Sequence, residues 1–398
     1  MTRRQSLAQL ILGAGFASAQ TRRELSDKSK VAVAAQNQFG LKLARELAAK
    51  RPDENIFISP LSIFQALAMT GNGAAGETKS AMWRTLGLPA GLSDDALNEA
   101  AQSLTKLLES ENGVQLAIAN ALWASRSFHF DEKYVKRCLV AYGAKVTTLD
   151  FKRPEATETI NAWVMQKTMG MIPSIVTRDA VTAAAAILTN AVYFRGKWKK
   201  PFAKERTQPK PFHMAGGRMK DVPMMRNENL DIAYRDGIEF ESADLAYGGS
   251  DIRMQALLPK AGRSAKDVLQ KLSWEWLHNV PASADLDLSL PRFTMTFSEM
   301  LSPALRQMGM QIAFQPGANF TPMGSPQFQI GEVIHKARIE VDEEGTIAAA
   351  ATAVAMRVTS AMPVKREKKT LIFDRPFVLL IYENTTGALL FAGLVREP

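Results

Sequence analysis

The chain has 398 residues, of which 46% are apolar and 22% charged. That is ordinary soluble usage, which excludes collagen-like, low-complexity and generally disordered chains and leaves enough apolar side chains for a sizeable core. Forty-nine Lys and Arg against forty Asp and Glu give a net charge of +9, but the tightest basic clusters are only Arg195–Lys200 and Lys365–Lys369, so charge alone does not point to nucleic acid.

The N-terminus is the first organised signal. Arg3 and Arg4 precede an uncharged stretch from Gln5 to Gln20 that contains Leu10–Gly13 and ends on Ala17, Ser18 and Ala19, the pattern of an export signal over residues 1–19. The apolar run is too short to span a bilayer, so no membrane anchor is expected. Thr2–Leu7 resembles the twin-arginine signal, departing from it at Ser6 and Ala8, and implies a secreted or periplasmic protein. No linker divides residues 20–398, which are read as one domain.

Phe39, Leu43 and Leu47 place a helix over 31–49, and Asn55–Ile58 reads as a short buried strand. Ser59 and Pro60 start the next helix, since Ser accepts from the free first-turn amides and Pro at the first helical position loses no hydrogen bond. Further helices are expected over 78–86, ended by Gly87, and over 94–109, 131–142 and 155–168. Strands are expected to dominate the second half. Leu286, Leu288 and Leu290 alternate with Asp287 and Ser289, and 377–382 with 388–395 flank the turn Glu383–Gly387. Helices early and strands late predict an α+β fold.

Several motifs carry no chemistry. Gly71, Gly73 and Gly76 match a dinucleotide fingerprint literally, but a helix precedes them where a strand is required, so they read as a helix-to-helix turn. There is no GxSxG elbow and no P-loop lysine pattern. Cys138, the single cysteine, excludes an intramolecular disulfide and multi-cysteine zinc sites and reads as a packed thiol. His129, His213, His278 and His335 show no metal-binding spacing, so neither metal nor cofactor is expected. Asn319 and Asn384 are formal glycosylation acceptors, and Arg195–Lys200 reads as a solvated strand end.

The unusual segment runs from Glu340 to Lys369. A run of small residues, Ala348–Ala351 followed by Thr352–Ala355, stands between Glu343-Glu344-Gly345-Thr346 and a basic, Pro-containing stretch. Propensity alone makes it helix. These residues, with Asn55–Ser62, Leu188–Trp198, Pro201–Phe202, Val222–Met225, Leu290–Phe293, Leu305–Phe314, His335–Ala337 and Arg375–Phe377 in order along the chain, resemble the serpins, the serine-protease-inhibitor family, over nearly the whole length after the signal.

The resemblance implies one domain of three β-sheets and about nine helices, with an exposed reactive loop over about 343–369. It implies a monomeric suicide inhibitor rather than an enzyme. A target serine protease attacks the loop, forms a covalent acyl-enzyme, and is trapped when the freed segment inserts as a new strand into the large sheet. Glu343, Glu344, Gly345, Thr346 and Ala348, Ala349, Ala350 and Ala351 form the implied hinge. As a strand, the segment would present Thr346, Ala348, Ala350, Thr352, Val354 and Met356 on one face, with no charge to bury. Ile347, where the family usually has a polar residue, falls on the other face.

Counting the seventeen residues usual in inhibitory members from Glu343 ends on Thr359, so the scissile bond is Thr359–Ser360; a loop one residue shorter selects Val358. Either residue suits an elastase-like or subtilisin-like protease, while trypsin cutting at Arg357 would merely consume the protein. Ser59, Ser62, Asn190 and His335 correspond to the family's polar cluster beneath the sheet opening, and Trp198 to the residue where the loop enters. The alternative is a non-inhibitory serpin acting as a carrier or chaperone-like binding protein.

Overall fold

The computed structural model describes residues 25–278, 281–346 and 368–398. Helix starts follow the chemistry of their caps. Ser59 Oγ accepts the Ser62 amide at 3.2 Å, with Pro60 at the first helical position of Pro60–Gly71. The Asp131 carboxylate accepts the Lys133 and Tyr134 amides at 2.9 and 3.0 Å to open Glu132–Tyr142. Pro60–Gly71 contains no charged residue and is buried on every side, which makes it the central helix of the core.

Six strands form the sheet that corresponds to the large sheet of the resemblance, and that name is kept for it: β1 (Val114–Ser125), β2 (Lys145–Leu149), β3 (Ala186–Lys197), β4 (Phe293–Met300), β5 (Glu332–Val341) and the two-residue β6 (Gly345–Thr346). Their order is β4-β5-β3-β1-β2, with β6 paired to the end of β3. β5 and β3 are parallel, from Glu332 opposite Ile187 to Arg338 opposite Tyr193, whereas β3 and β1 are antiparallel over their whole length. A second sheet of nine strands runs from Ile56–Ile58 through the hairpin Phe377–Glu383 and Leu389–Val395 to the edge strand Lys368–Ile372. Gly324–Ser325 and His129–Phe130 make a two-stranded ribbon. Among the described residues there are nine α-helices and these three sheets, an α+β architecture.

The expected division into early helices and late strands needs correction, because β1, β2 and β3 all lie in the first half of the chain. The reason is burial on both faces. From Ala119 to Ala124 and from Ala186 to Phe194 every residue is buried, so the polar and apolar alternation that marks a half-exposed strand is missing. Where one face is solvated the pattern holds: Leu286, Leu288 and Leu290 are buried and Asp287 and Ser289 are not.

The two faces of the large sheet pack on different layers. Val192 and Phe194 face the main core with Pro60–Gly71, while Ile187 and Ala191 of β3, Ile334 of β5 and Trp123 of β1 face a second cluster. That cluster is closed by Ile160 and Val164 of the helix Pro154–Lys167 and by Ile172, Ile175 and Val176 of the segment after it. The segment is held back onto its helix by Asn161, whose Oδ1 accepts the Ile175 and Val176 amides at 2.8 and 3.1 Å. Lys336 of β5 donates to the Ser174 carbonyl at 2.8 Å, and burial pushes the pKa of its ammonium down. This strap therefore crosses the line between β3 and β5. Truncating its anchor, Ile160→Ala, should cost about 2–4 kcal/mol in the first urea transition through the lost side chain and the cavity left behind; an unchanged midpoint would show that the strap is not docked there.

Candidate functional site

Neighbouring strands bring polar side chains together at the middle of the large sheet. Asn120 of β1 lies opposite Asn190 of β3, and Asn190 lies opposite His335 of β5, so the three share one face in adjacent strands. Ser59 and Ser62, at the start of the central helix, meet them from below. Asn190 donates both amide hydrogens, one to Ser62 Oγ and one to Asn120 Oδ1. Its Oδ1 is left as the acceptor for His335 Nδ1 at 2.5 Å, so that nitrogen carries the proton and His335 Nε2 accepts the Ser59 amide at 3.4 Å. Ser62 Oγ in turn donates to Asn120 Oδ1 at 3.3 Å. Every member is buried, and each satisfies the others. Burial lowers the pKa of the His335 imidazole to about 3, holding it neutral.

The second constellation is at the far end of β3 and β5. Glu343 is buried; its Oε1 accepts from Thr207 Oγ1 at 2.7 Å and faces the Arg292 guanidinium at 3.4 Å. Glu344 is paired with Lys204 at 2.5 Å, an exposed contact of modest strength. The backbone is held as well. The Phe202 amide donates to the Glu343 carbonyl at 2.7 Å, and the Trp198 amide to that of Glu344 at 2.9 Å. Trp198 stacks on Tyr247 with ring centroids 4.6 Å apart and donates its indole N–H to the Asp342 carbonyl at 2.9 Å. Gly345 and Thr346 then pair with Lys197 and Gly196 as the first two residues of a strand antiparallel to β3. Gly345 sits at φ +142°, and a Cβ there would lie 2.2 Å from the Gly196 carbonyl oxygen, so only glycine can enter this close to β3.

The structure thus gathers Ser59, Ser62, Asn190 and His335 into one network and gathers Trp198, Glu343, Glu344, Gly345 and the Thr346 backbone into another. Ala348, Ala349, Ala350, Ala351, Val358, Thr359 and Ser360 lie outside the described residues. Asn120, Thr207, Arg292, Lys204 and Asp342 escaped the sequence reading. Asn120, Thr207, Arg292 and Lys204 each act through a partner far away in sequence, whereas the Asp342 carboxylate accepts amides two and three residues on. Cys138 is buried, and burial raises its thiol pKa to about 12, so it stays protonated and inert.

The neutral histidine gives a pH dependence with a definite sign. An unfolded chain binds a proton at this imidazole below about pH 6.5 and the folded one only near pH 3, so stability is present above about 6.5 and is lost as pH falls through that window, by about 1.4 kcal/mol per unit. Between about pH 7 and about pH 5 the wild type should lose about 2 kcal/mol more in urea unfolding than His335→Gln, which keeps an amide for hydrogen bonding and cannot titrate. Equal losses would mean that His335 is not the group held neutral.

The comparisons with known proteins agree with this geometry. A family model described as Serpin (serine protease inhibitor) matches residues 34–398. The leukocyte elastase inhibitor of Sus scrofa is 33% identical over 383 residues, spanning 92% of this chain and 99% of that protein. Human thyroxine-binding globulin, crystallised with its hormone, superposes with a TM-score of 0.84 at 25% identity, covering 93% of this chain and 99% of its own. The crystal structure of the thermophilic serpin tengpin in the native state gives 0.83 at 28% identity, covering 94% and 96%. With a polar network at the middle of the large sheet, a turn at its end that pairs Gly345 and Thr346 with β3, and a family match over more than nine-tenths of its length, this chain belongs to the serpin family.

Proposed function

We propose that the protein is an irreversible inhibitor of serine endopeptidases that works once, by inserting its cleaved loop between β5 and β3. The observation that carries this reading is register. The hinge pairs Gly345 with Lys197 on β3, and Gly345 exchanges backbone hydrogen bonds with Asp342 at the end of β5. Continuing both registers residue by residue brings Ala349 opposite Tyr193 on one side and Arg338 on the other, and Tyr193 and Arg338 are already paired with each other. Thr352 likewise falls opposite Asn190 and His335, an existing pair. A strand growing from Thr346 therefore needs β3 and β5 to part sideways by one strand spacing, about 4.8 Å, and not to slide.

The same register assigns the faces. Ala348, Ala350, Thr352, Val354 and Met356 fall opposite Phe194, Val192, Asn190, Leu188 and Ala186, all buried toward the main core or the polar cluster. None of the five carries a charge, so none opposes burial. Thr352 brings a hydroxyl to the place where the bond between His335 and Asn190 is broken, which leaves neither buried group unpaired. The energetic return is a new ladder of backbone hydrogen bonds on both sides of the inserted strand.

The Sus scrofa relative is named as an elastase inhibitor, which supports a protease partner. In this reading the protease attacks after Thr359, or after Val358, and the small or aliphatic residue there favours elastase-like and subtilisin-like enzymes. The signal-like residues 1–19 support export to the periplasm or medium. The likeness to thyroxine-binding globulin favours a second reading, a carrier that is not an inhibitor.

Incubation with an elastase-like enzyme, a subtilisin and trypsin separates the two. Inhibition predicts a detergent-stable complex with release of the peptide Ser360–Pro398, and Thr346→Arg, which sets a charge on the inward face, should abolish the complex while leaving cleavage intact. Cleavage by every protease with no complex would favour the non-inhibitory reading; a complex that survives Thr346→Arg would refute insertion along this register.

A further inference from the structure

The hinge network assigns one more residue a part in the trapping reaction, and this assignment rests on the insertion reading above. We infer that Asp342 is a positioning residue, whose carboxylate folds the turn that starts the inserted strand in register. Asp342 and Gly345 form a two-residue hairpin. The Asp342 amide donates to the Gly345 carbonyl at 2.7 Å, and the Gly345 amide to the Asp342 carbonyl at 3.3 Å, with Glu343 and Glu344 as the loop. Two-residue hairpin loops favour positive φ at both central residues, because that turn follows the twist of the strands. Among the described residues the non-glycine positions with positive φ are Met169 and Asn229, so Glu343 and Glu344 do not adopt that turn. A backbone left to itself there would splay the two strands apart.

Asp342 supplies what the backbone lacks. Its Oδ1 accepts the Glu344 amide at 2.9 Å and the Gly345 amide at 3.0 Å, the role of Asp at the first position of a turn whose fourth residue is Gly. Its carbonyl also accepts the Trp198 indole, and the Trp198 amide donates to Glu344, which fastens the turn to the end of β3. The chain leaving the turn is thereby aimed back along β3, with Thr346 opposite Gly196. A loop freed by cleavage has its first two residues already in place, and insertion begins as extension of an existing hairpin.

The consequence is kinetic. In the acyl-enzyme the protease serine oxygen is esterified to the carbonyl of the cleaved residue. Water can add to that carbonyl, releasing a carboxylic acid on the loop and a restored serine hydroxyl, or insertion can distort the protease first. Asp342 acts on the second branch alone.

The test compares wild type, Asp342→Ala and Asp342→Asn, measuring the moles of inhibitor consumed per mole of protease trapped and, separately, the second-order rate of loop cleavage. Asn keeps an Oδ1 that can accept the same two amides. Asp342→Ala should raise the ratio of cleaved to trapped inhibitor, which is the consumption minus one, about fivefold, equivalent to about 1 kcal/mol at the branch. Asp342→Asn should restore it to near the wild-type value, and the cleavage rate should be the same in all three. Wild-type consumption in the Ala variant, or an Asn variant as impaired as Ala, overturns the assignment. Wild-type protein that is cleaved by every protease without trapping any overturns the insertion reading itself and the assignment with it.

Discussion

The parallel ladder between β5 and β3 is the interaction on which the rest of the structure depends. Parallel hydrogen bonds are slanted and slightly weaker per residue than antiparallel ones, and this ladder joins two halves of a sheet whose other long contacts in the same layer, β3 with β1 and β5 with β4, are antiparallel. Of the sheet's three long ladders it is the one with the weaker pairing per residue. A strand entering there runs antiparallel to both neighbours, so two antiparallel pairings replace one parallel pairing. On the insertion proposed above, that exchange is what would give the native arrangement a lower-energy alternative, the condition for a switch with two packed states rather than a continuously deformable one.

Three features bear on the line between β5 and β3 from different sides. The buried network of Ser59, Ser62, Asn120, Asn190 and His335 crosses it through the bond between His335 and Asn190. The strap formed by Pro154–Lys167 and the segment after it crosses it on the opposite face, with Ile334 and Lys336 on one side and Ile187 and Ala191 on the other. The hinge turn at Asp342–Gly345 sits at its end, held by Trp198, Thr207 and Arg292. A fully satisfied buried network is rigid, and loss of one member exposes the others to the cost of burial without a partner. The sheet is thus held closed by interactions that are local to the line between β5 and β3.

Much of this was legible in the sequence wherever the cause was local. The cap formed by Ser59 and Pro60, the stop at Gly87 and the hairpin around Glu383–Gly387 all follow from residues a few positions apart, whereas the end of β3 after Arg195, expected to be solvated, has Gly196 and Trp198 buried. Gly345 reads as a point of backbone freedom from its neighbours alone, and its backbone lies at φ +142°. The alternation that leaves one uncharged face in the loop is likewise a property of consecutive residues. Family resemblance extended these fragments to a whole fold because the blocks occur in order.

What only the tertiary structure decided has a common physical origin, contact between residues far apart in the chain. β1 and β3 carry no alternation, because both their faces are buried, and so their pairing leaves no local trace. Asn120 reads as one more polar residue until the antiparallel register sets it opposite Asn190. Arg292, Thr207 and Lys204 become part of the hinge only when the chain returns to Glu343 and Glu344. Composition and spacing determined which segments could be helix, strand, hinge or inserting loop, since those depend on neighbouring residues. Register, which depends on how strands many residues apart are laid side by side, decided how β5 pairs with β3 and where Gly345 and Thr346 lie along β3, on which the proposed insertion without sliding rests.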